Sequence, residues 1–149
     1  MIFILLMMVL MHVIEDFHVQ GIMGNMKQKR WWCDELAKMS VEQPDTPMPE
    51  LMGKYGNDYI PVLLLHGFEW SMFVHAPILV AYWVWVGEVM LGGLFMSIMC
   101  LVIVLQGVLH SIIDHFKANR LKINLIADQS LHMLQIAVSF CIFVMYIVG

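Results

Sequence analysis

Hydrophobic residues fall into three long runs, separated by one polar segment and one short basic connector. The chain is apolar up to about residue 20, polar over 21–59 and almost continuously apolar over 60–116, and a last apolar run begins near residue 124. The middle run is too long for one membrane span of about 20–25 residues but accommodates two spans folded back on each other. The pattern therefore predicts four transmembrane helices at about 1–20, 60–86, 88–116 and 124–147.

The segments between these runs predict the connections. Gly87, Gly92 and Gly93 mark the expected turn between the second and third spans. The segment 21–59 holds three of the five prolines and eleven of the twenty formal charges, so we expect a polar loop rather than a domain. No lysine or arginine precedes the first apolar run, so it lacks the positive region of a cleavable signal peptide and is expected to be a retained span.

Composition supports a membrane protein built from helices. Hydrophobic residues make up 60% of the chain and charged residues 13%, about half the charged fraction of a soluble domain. Lipid cannot satisfy exposed backbone amides, and the apolar runs are too long for the roughly 10-residue strands of a membrane barrel. The predicted fold class is thus all-α, a single integral membrane bundle of four transmembrane helices with a polar cytoplasmic loop between helices 1 and 2.

Charge excludes one class of partner and predicts the orientation. A net charge of −4 gives no basic face for nucleic acid. All eight basic residues lie between spans one and two or between spans three and four. By the positive-inside rule, both basic connectors are cytoplasmic and both termini lie outside, which predicts a bacterial inner-membrane protein in contact with membrane lipids. The basic cluster before Trp31 and Trp32 suits a surface helix near the bundle, or a simple membrane anchor.

Histidine and aspartate are concentrated where ionisable groups are costly. All seven histidines lie in the apolar runs, and such residues in lipid are kept for function or for internal pairing. His12 and Asp16, His110 and Asp114, and Asp128 and His132 are each four residues apart, which puts both members of a pair on one helix face. His66 adds an imidazole from the second span.

The predicted orientation places these imidazoles at one depth. Each lies about six to eight residues from the cytoplasmic helix end, or roughly 9–12 Å at 1.5 Å per residue. Neutral imidazole and carboxylate suit zinc, iron or manganese, and facing helices of a bundle can hold closely spaced metal ions. The pattern predicts one or two divalent ions, zinc foremost, with the ligands His12, Asp16, His66, His110, Asp114, Asp128 and His132. The alternative is a purely structural polar network between helices.

Other polar residues are candidates for supporting roles. Glu69, one turn from His66, is the candidate general base, and Lys117 with Gln20 or Gln129 could hold substrate or orient ligands. His75 lies deeper in the second span, where it would either hydrogen-bond to a metal ligand or pack as a core histidine. Four other ionisable residues are not predicted to be ligands. His18 and His115 are about 100° around their helices from the face that carries the His/Asp pairs, and Glu15 and Glu88 are expected at helix ends or interfaces.

The motifs resemble a family of small bacterial and phage integral membrane proteins, domain of unknown function 3307. The family's pattern consists of H-x3-D-F-x2-Q in the first helix, a lone histidine in the second, and then H-x2-I-D-x2-K and D-Q-x2-H. This chain matches the first motif with His12, Asp16, Phe17 and Gln20, and the lone histidine with His66. It matches the last two motifs with His110, Ile113, Asp114 and Lys117, and with Asp128, Gln129 and His132. The family is similar in turn to small membrane proteins labelled metal-dependent hydrolases. The resemblance implies a metal site and hydrolysis, although the segment 31–58 is longer than the family's connector.

These observations favour a membrane metal-dependent hydrolase of a lipid or lipid-linked substrate at the cytoplasmic face. A metal would activate water and polarise a phosphoryl or acyl oxygen at headgroup depth. One alternative is a cation or proton transporter that uses the same residues. Another is a non-catalytic phage or bacterial interaction protein, which could form a homo-oligomer.

Overall fold

A computed structural model describes residues 1–42, 44–86 and 93–148. Over these residues the chain is helical and contains no strand. The helices in chain order are α1 (Ile2–Ile14), α2 (Met23–Met26), α3 (Lys29–Glu42), α4 (Met48–Tyr55), α5 (Tyr59–Val86), α6 (Gly93–Ala118) and α7 (Leu125–Val148), and a π-helical turn (Glu15–Val19) extends α1.

Four of these segments are long and apolar enough to cross a membrane. They are α1 with its π-helical turn, α5 together with the preceding α4, α6 and α7. Helices that follow one another in this set pack together, and α1 also contacts α7, which closes the bundle. The predicted all-α bundle of four membrane helices is confirmed. Of the expected turn between the second and third spans, Gly93 begins α6, whereas Gly87, Glu88 and Gly92 lie outside the described residues.

The segment 21–59 differs from the predicted loop because three helices occupy much of it. Leu36 of α3 and Leu51 of α4 are buried, and the two helices contact each other. Pro49 lies in the first turn of α4, where its missing N–H has no helical partner to lose. The prolines therefore delimit a helix here instead of preventing one.

The interior of the bundle is divided between an apolar half and a polar half. The apolar core includes Met8, Ile78, Phe95, Met99 and Phe143. The polar residues lie toward the end where α1 and α6 finish and α5 and α7 begin. We call this the basic end, because all eight lysines and arginines are in the connectors or last helical turns there.

A close crossing of α5 and α6 brings two of the predicted site residues together. A Cβ added at Gly67 of α5 would overlap the Ser111 hydroxyl and the Gly107 carbonyl oxygen of α6. The Ser111 hydroxyl donates a hydrogen bond across the crossing to the Leu63 carbonyl at 3.1 Å. Small residues permit such close packing of membrane helices. Since His66 precedes Gly67 and His110 precedes Ser111, the crossing places their imidazoles side by side.

The first span ends in a π-helical turn that begins with two buried acidic residues. Glu15 and Asp16 are adjacent in sequence, yet both are buried. A π-helical turn contains one more residue per hydrogen-bonded ring than an α-helical turn, and it often occurs at functional sites. Gly21 follows with φ of +46°, a left-handed conformation typical of the glycine that ends a helix. The chain then turns back so that α2 contacts α5.

Candidate metal centre

The Asp114 carboxylate is the meeting point of three helices. Its oxygens lie 3.3 Å from Nε2 of His66, 3.8 Å from Nε2 of His110 and 3.6 Å from Nε2 of His132. All three imidazoles are fully buried. Asp16 approaches from the π-helical turn, with Oδ1 at 4.0 Å from Nε2 of both His66 and His110. We call these five residues the His/Asp cluster.

The spacing within the cluster matches that of ligand atoms around a small cation. Zn–N and Zn–O bonds of roughly 2.0–2.1 Å in a tetrahedron put neighbouring ligand atoms about 3.3 Å apart. Nε2 of His66 lies 3.3 Å from Nε2 of His110 and 3.3 Å from Asp114 Oδ2. These three atoms could therefore bind one ion once the Lys27 ammonium, which donates to His66 Nε2 and Asp114 Oδ2, moves away.

The cluster also divides into two overlapping groups of potential ligands. Asp16, His66 and His110 form one group, and His110, Asp114 and His132 form the other, each with its ligand atoms within 4.8 Å of one another. Two buried atoms in these groups, Asp16 Oδ1 and His132 Nε2, have no hydrogen-bond partner among the described residues. Orphaned buried polar atoms of this kind suit a bound cation or water. The donor set thus fits one or two divalent ions.

A glutamine network fixes the proton position on His132. The Gln135 amide nitrogen donates to the Gln106 backbone carbonyl at 3.0 Å, so the Gln135 Oε1 must be the acceptor. This oxygen lies 3.0 Å from Nδ1 of His132 and accepts its N–H. The lone pair of neutral His132 is then on Nε2, which faces the cluster. An imidazole held through its other nitrogen in this way is the usual arrangement of a metal ligand.

His12 has a supporting position instead of the predicted ligand position. The Trp70 indole can only donate, and its N–H donates to Nδ1 of His12 at 2.8 Å. Nε2 of His12 then donates to Gln129 Oε1 at 3.1 Å. Both ring nitrogens are engaged, so no lone pair is left for a metal ion. The Trp70 ring also stacks on His110 at 4.3 Å and separates the cluster from the apolar core.

Asp128 lies beside the His/Asp cluster instead of in the predicted ligand position. It is 3.4 Å from His132 Nε2 but does not belong to either group of converging ligand atoms. Its Oδ2 accepts hydrogen bonds from Lys117 at 2.5 Å and from the Gln129 side chain at 3.0 Å. Gln129 also donates to Asp16 at 3.3 Å. Asp128 and Gln129 therefore position the histidine and aspartate side chains around them.

Of three further predicted residues, two lie beside the cluster. The Gln20 side chain donates to the Asp16 backbone carbonyl. Glu69 lies with Glu15 on the opposite side of His66 from Asp114, in a third group of possible ligands. His75 is buried deeper, where Nδ1 donates to the Ser71 carbonyl at 2.7 Å. The structure thus brings Gln20 and Glu69 next to cluster residues, but not His75.

Glu15 and Lys27 are site residues that sequence reasoning missed. Oε1 of the fully buried Glu15 lies 3.2 Å from Nδ1 of His66, so this carboxylate backs the imidazole on the side away from Asp114. The Lys27 ammonium donates to Asp114 Oδ2 at 2.5 Å and to His66 Nε2 at 2.9 Å. The i, i+3 spacing from His12 to Glu15 is a signal that could have placed Glu15 on the buried face. Lys27 belongs to the basic run that the sequence predicts at the membrane surface, so no local pattern indicates its contact with Asp114.

A bound cation is one way to balance the buried charge at this end of the bundle. Four carboxylates are buried at this end of the bundle, namely those of Glu15, Asp16, Asp114 and Asp128. Only two ammonium groups reach them, Lys27 at Asp114 and Lys117 at Asp128. With neutral imidazoles, two negative charges stay unbalanced by the described side chains, and buried unpaired charge is costly. One divalent cation would balance them.

A cavity of about 480 Å³ connects the cluster to the surface at the basic end. Asp114 is among its lining residues, together with Gln20 and Lys117. Asn119 holds one wall in place, since its side chain donates to the Lys27 carbonyl at 3.0 Å and accepts from the Lys29 N–H at 2.6 Å. His18 and His115 are not part of the cluster. His18 is exposed, and His115 stacks with Tyr59.

No family model, no curated protein and no solved structure matches the chain. The likeness to domain of unknown function 3307 therefore stays a prediction from sequence motifs. The fold and the site themselves describe a four-helix membrane bundle with a buried His/Asp cluster that opens to one end.

Proposed function

We propose that the chain is a metal-dependent hydrolase that acts on a lipid or lipid-linked substrate at the basic end of the bundle. The observation that carries this proposal is the convergence of three imidazole Nε2 atoms on Asp114, next to a cavity that opens to the surface. A divalent ion held by the His/Asp cluster would provide a water nucleophile at neutral pH and polarise the scissile bond. Zinc suits this mixture of nitrogen and oxygen ligands, and manganese or iron are alternatives.

The residues of the chain divide the remaining tasks. His66, His110, His132, Asp114 and Asp16 would hold the metal. Glu15 and Gln135 orient His66 and His132 from behind, which supports ligand geometry. Trp70 and the apolar core exclude water from the opposite side. Lys117 lines the cavity and stays a candidate substrate contact, whereas Glu69 lies behind His66, away from Asp114, and is not placed to act as the base.

Transport is the weaker alternative because the polar path stops within the bundle. Beyond His132, the side chains of Gln106, Gln135 and Ser139 hydrogen-bond to one another. Farther on, Phe95 and Phe143 are fully buried in the apolar core. An ion would need polar partners on both sides of its site to cross. The open cavity at one end alone favours a reaction at that surface.

Metal content and lipid hydrolysis test the proposal together. The detergent-purified chain is expected to contain between one and two zinc, manganese or iron ions and to release products from a bacterial polar lipid extract, detected by mass spectrometry. Chelation should abolish the release, and restored metal should recover it. The variant His18→Gln is a matched control, since His18 is exposed and outside the cluster. Absence of transition metal before and after reconstitution would favour a structural network, whereas bound metal without any product would favour transport.

The proposed orientation puts the basic end in the cytoplasm of a bacterium and both termini outside. It follows from the basic residues, which are all at one end of the bundle. Reporter fusions at residue 149 and within residues 40–58 are expected to report opposite sides of the inner membrane. The same side for both fusions would contradict this layout.

A further inference from the structure

The cavity above Asp114 has an unusual charge for a pocket that leads to carboxylates. Four cationic residues line it, namely Lys27, Lys29, Arg30 and Lys117, while Asp114 is its only acidic lining residue among those described. The remaining polar lining residues, such as Gln20, Gln28 and Asn119, are neutral. The cavity is therefore suited to an anion.

Two of these cations have no acidic partner. Lys27 and Lys117 pair with Asp114 and Asp128. By contrast, within the described ranges no carboxylate lies within 4.0 Å of the Lys29 ammonium or the Arg30 guanidinium. Both residues are in the first turn of α3, at the mouth of the cavity. Their charge is free for an external ligand.

The wall that carries these cations is built into the fold. Asn119 at the end of α6 bonds to the backbone of both Lys27 and Lys29. The Trp32 indole donates to the Met26 carbonyl at 2.7 Å, which fixes the connection between α2 and α3. The backbone that carries these residues is thus held at the cavity by hydrogen bonds that need no ligand.

We infer that this cavity binds a phosphate group, so that the substrate of the proposed hydrolase is a phosphate-bearing lipid or lipid-linked molecule. Guanidinium and ammonium groups are the side chains that bind phosphate oxygens with charge-assisted hydrogen bonds. A volume of about 480 Å³ lies within the range of roughly 300–1,000 Å³ usual for ligand pockets. That the bound molecule is a substrate rests on the proposed function, whereas phosphate binding itself does not.

The position of the cavity connects phosphate binding with the His/Asp cluster. Asp114 belongs to both the cavity wall and the cluster. Lys27 connects the two, because it lines the cavity and its ammonium donates to His66 and Asp114 of the cluster. A phosphate bound by Lys29 and Arg30 would lie next to the metal ligands. This is the arrangement that hydrolysis of a phosphate ester requires.

Phosphate binding can be measured with the full chain in lipid nanodiscs. Inorganic phosphate is titrated by calorimetry into the chain in phosphatidylcholine nanodiscs, and the double variant Lys29→Gln with Arg30→Gln is compared with Lys38→Gln. Lys38 is on the same helix but pairs with Glu35 outside the cavity. In the double variant the dissociation constant for phosphate is expected to rise by at least about tenfold, as it would on loss of a charge-assisted hydrogen bond. The Lys38 control should bind as the unmodified chain does.

A second arm of the experiment identifies the source of the phosphate. Phosphatidic acid in the nanodisc is expected to compete with inorganic phosphate, while an equal negative charge from phosphatidylglycerol should compete much less. Competition by phosphatidic acid supports a lipid headgroup as the source. Equal phosphate affinity in all three nanodiscs would keep the phosphate site but overturn the lipid part of the inference in favour of a soluble phosphate ester. No phosphate binding, or equal binding by the double variant and the Lys38 control, would overturn the inference.

Metal analysis of the same samples separates this inference from the proposed hydrolase. Lys29 and Arg30 are not among the possible metal ligands, so the double variant should keep its metal. Metal without phosphate binding would overturn the cavity assignment alone. Phosphate binding without metal would support the cavity and contradict the hydrolase.

Discussion

Asp114→Asn is expected to release most of the bound metal from the purified chain. The substitution keeps the size of the side chain and much of its hydrogen bonding but removes the charge on which three imidazoles converge. Loss of a residue that merely supports a metal ligand costs about 10–100-fold in affinity. Since Asp114 is placed as a ligand, we expect a loss of more than about 100-fold, measured by competition with a chromogenic chelator. His110→Ala should have a similar effect because His110 belongs to both ligand groups.

Two matched aspartate variants make this result specific. Asp128→Asn is the same chemical change one contact farther out, and we expect an intermediate loss of about 10–100-fold, as for an orienting residue. Asp34→Asn changes an exposed aspartate of α3 and should bind metal normally. Only monodisperse fractions with unchanged helical circular dichroism are compared. Equal metal content in the Asp114 and Asp34 variants would mean that Asp114 is not a ligand.

The spacing of His and Asp predicted the cluster because regular helices convert sequence distance into direction. His110 and Asp114, four residues apart on α6, lie 3.8 Å from each other at their nearest polar atoms. The same spacing places His132 above Asp128 on α7, at 3.4 Å. Four predicted spans, each with a histidine at a similar depth, were thus enough to predict the fold class and a common polar site.

Sequence spacing could not assign roles within the site, because these depend on contacts between helices. His12 has the same spacing to Asp16 as the other pairs, but Trp70 from α5 takes its lone pair. Glu15, three residues after His12, is near the same helix face as Asp16, but only its contact with His66 of α5 shows that it belongs to the site. Lys27 reaches the cluster because Gly21 and Asn119 fold α2 back over the basic end. A local pattern of basic and tryptophan residues gave no sign of that contact.

Lys27→Met is expected to raise the affinity of the chain for divalent metal. Nε2 of His66 has a single lone pair, and Lys27 donates to it at 2.9 Å, so this nitrogen cannot bind a metal until Lys27 moves away. The same ammonium is a positive charge 2.5 Å from Asp114 Oδ2. Removing one charge near a cation changes its binding by roughly 4 kcal/mol at 4 Å and an effective dielectric constant of 20. Since Lys27 can move partly into the cavity, we expect a gain of at least about tenfold.

The same substitution is expected to destabilise the chain when no metal is present. Without Lys27, four buried carboxylates have only Lys117 as a described cationic partner, and removal of one member of a buried ion pair is strongly destabilising. Thermal unfolding in detergent should therefore begin at a lower temperature than in the unmodified chain, and zinc should restore it. Lys38→Met removes an exposed lysine of α3 and is the control for loss of a lysine. A lower metal affinity of the Lys27 variant would show that the ammonium assists metal binding and does not compete with it.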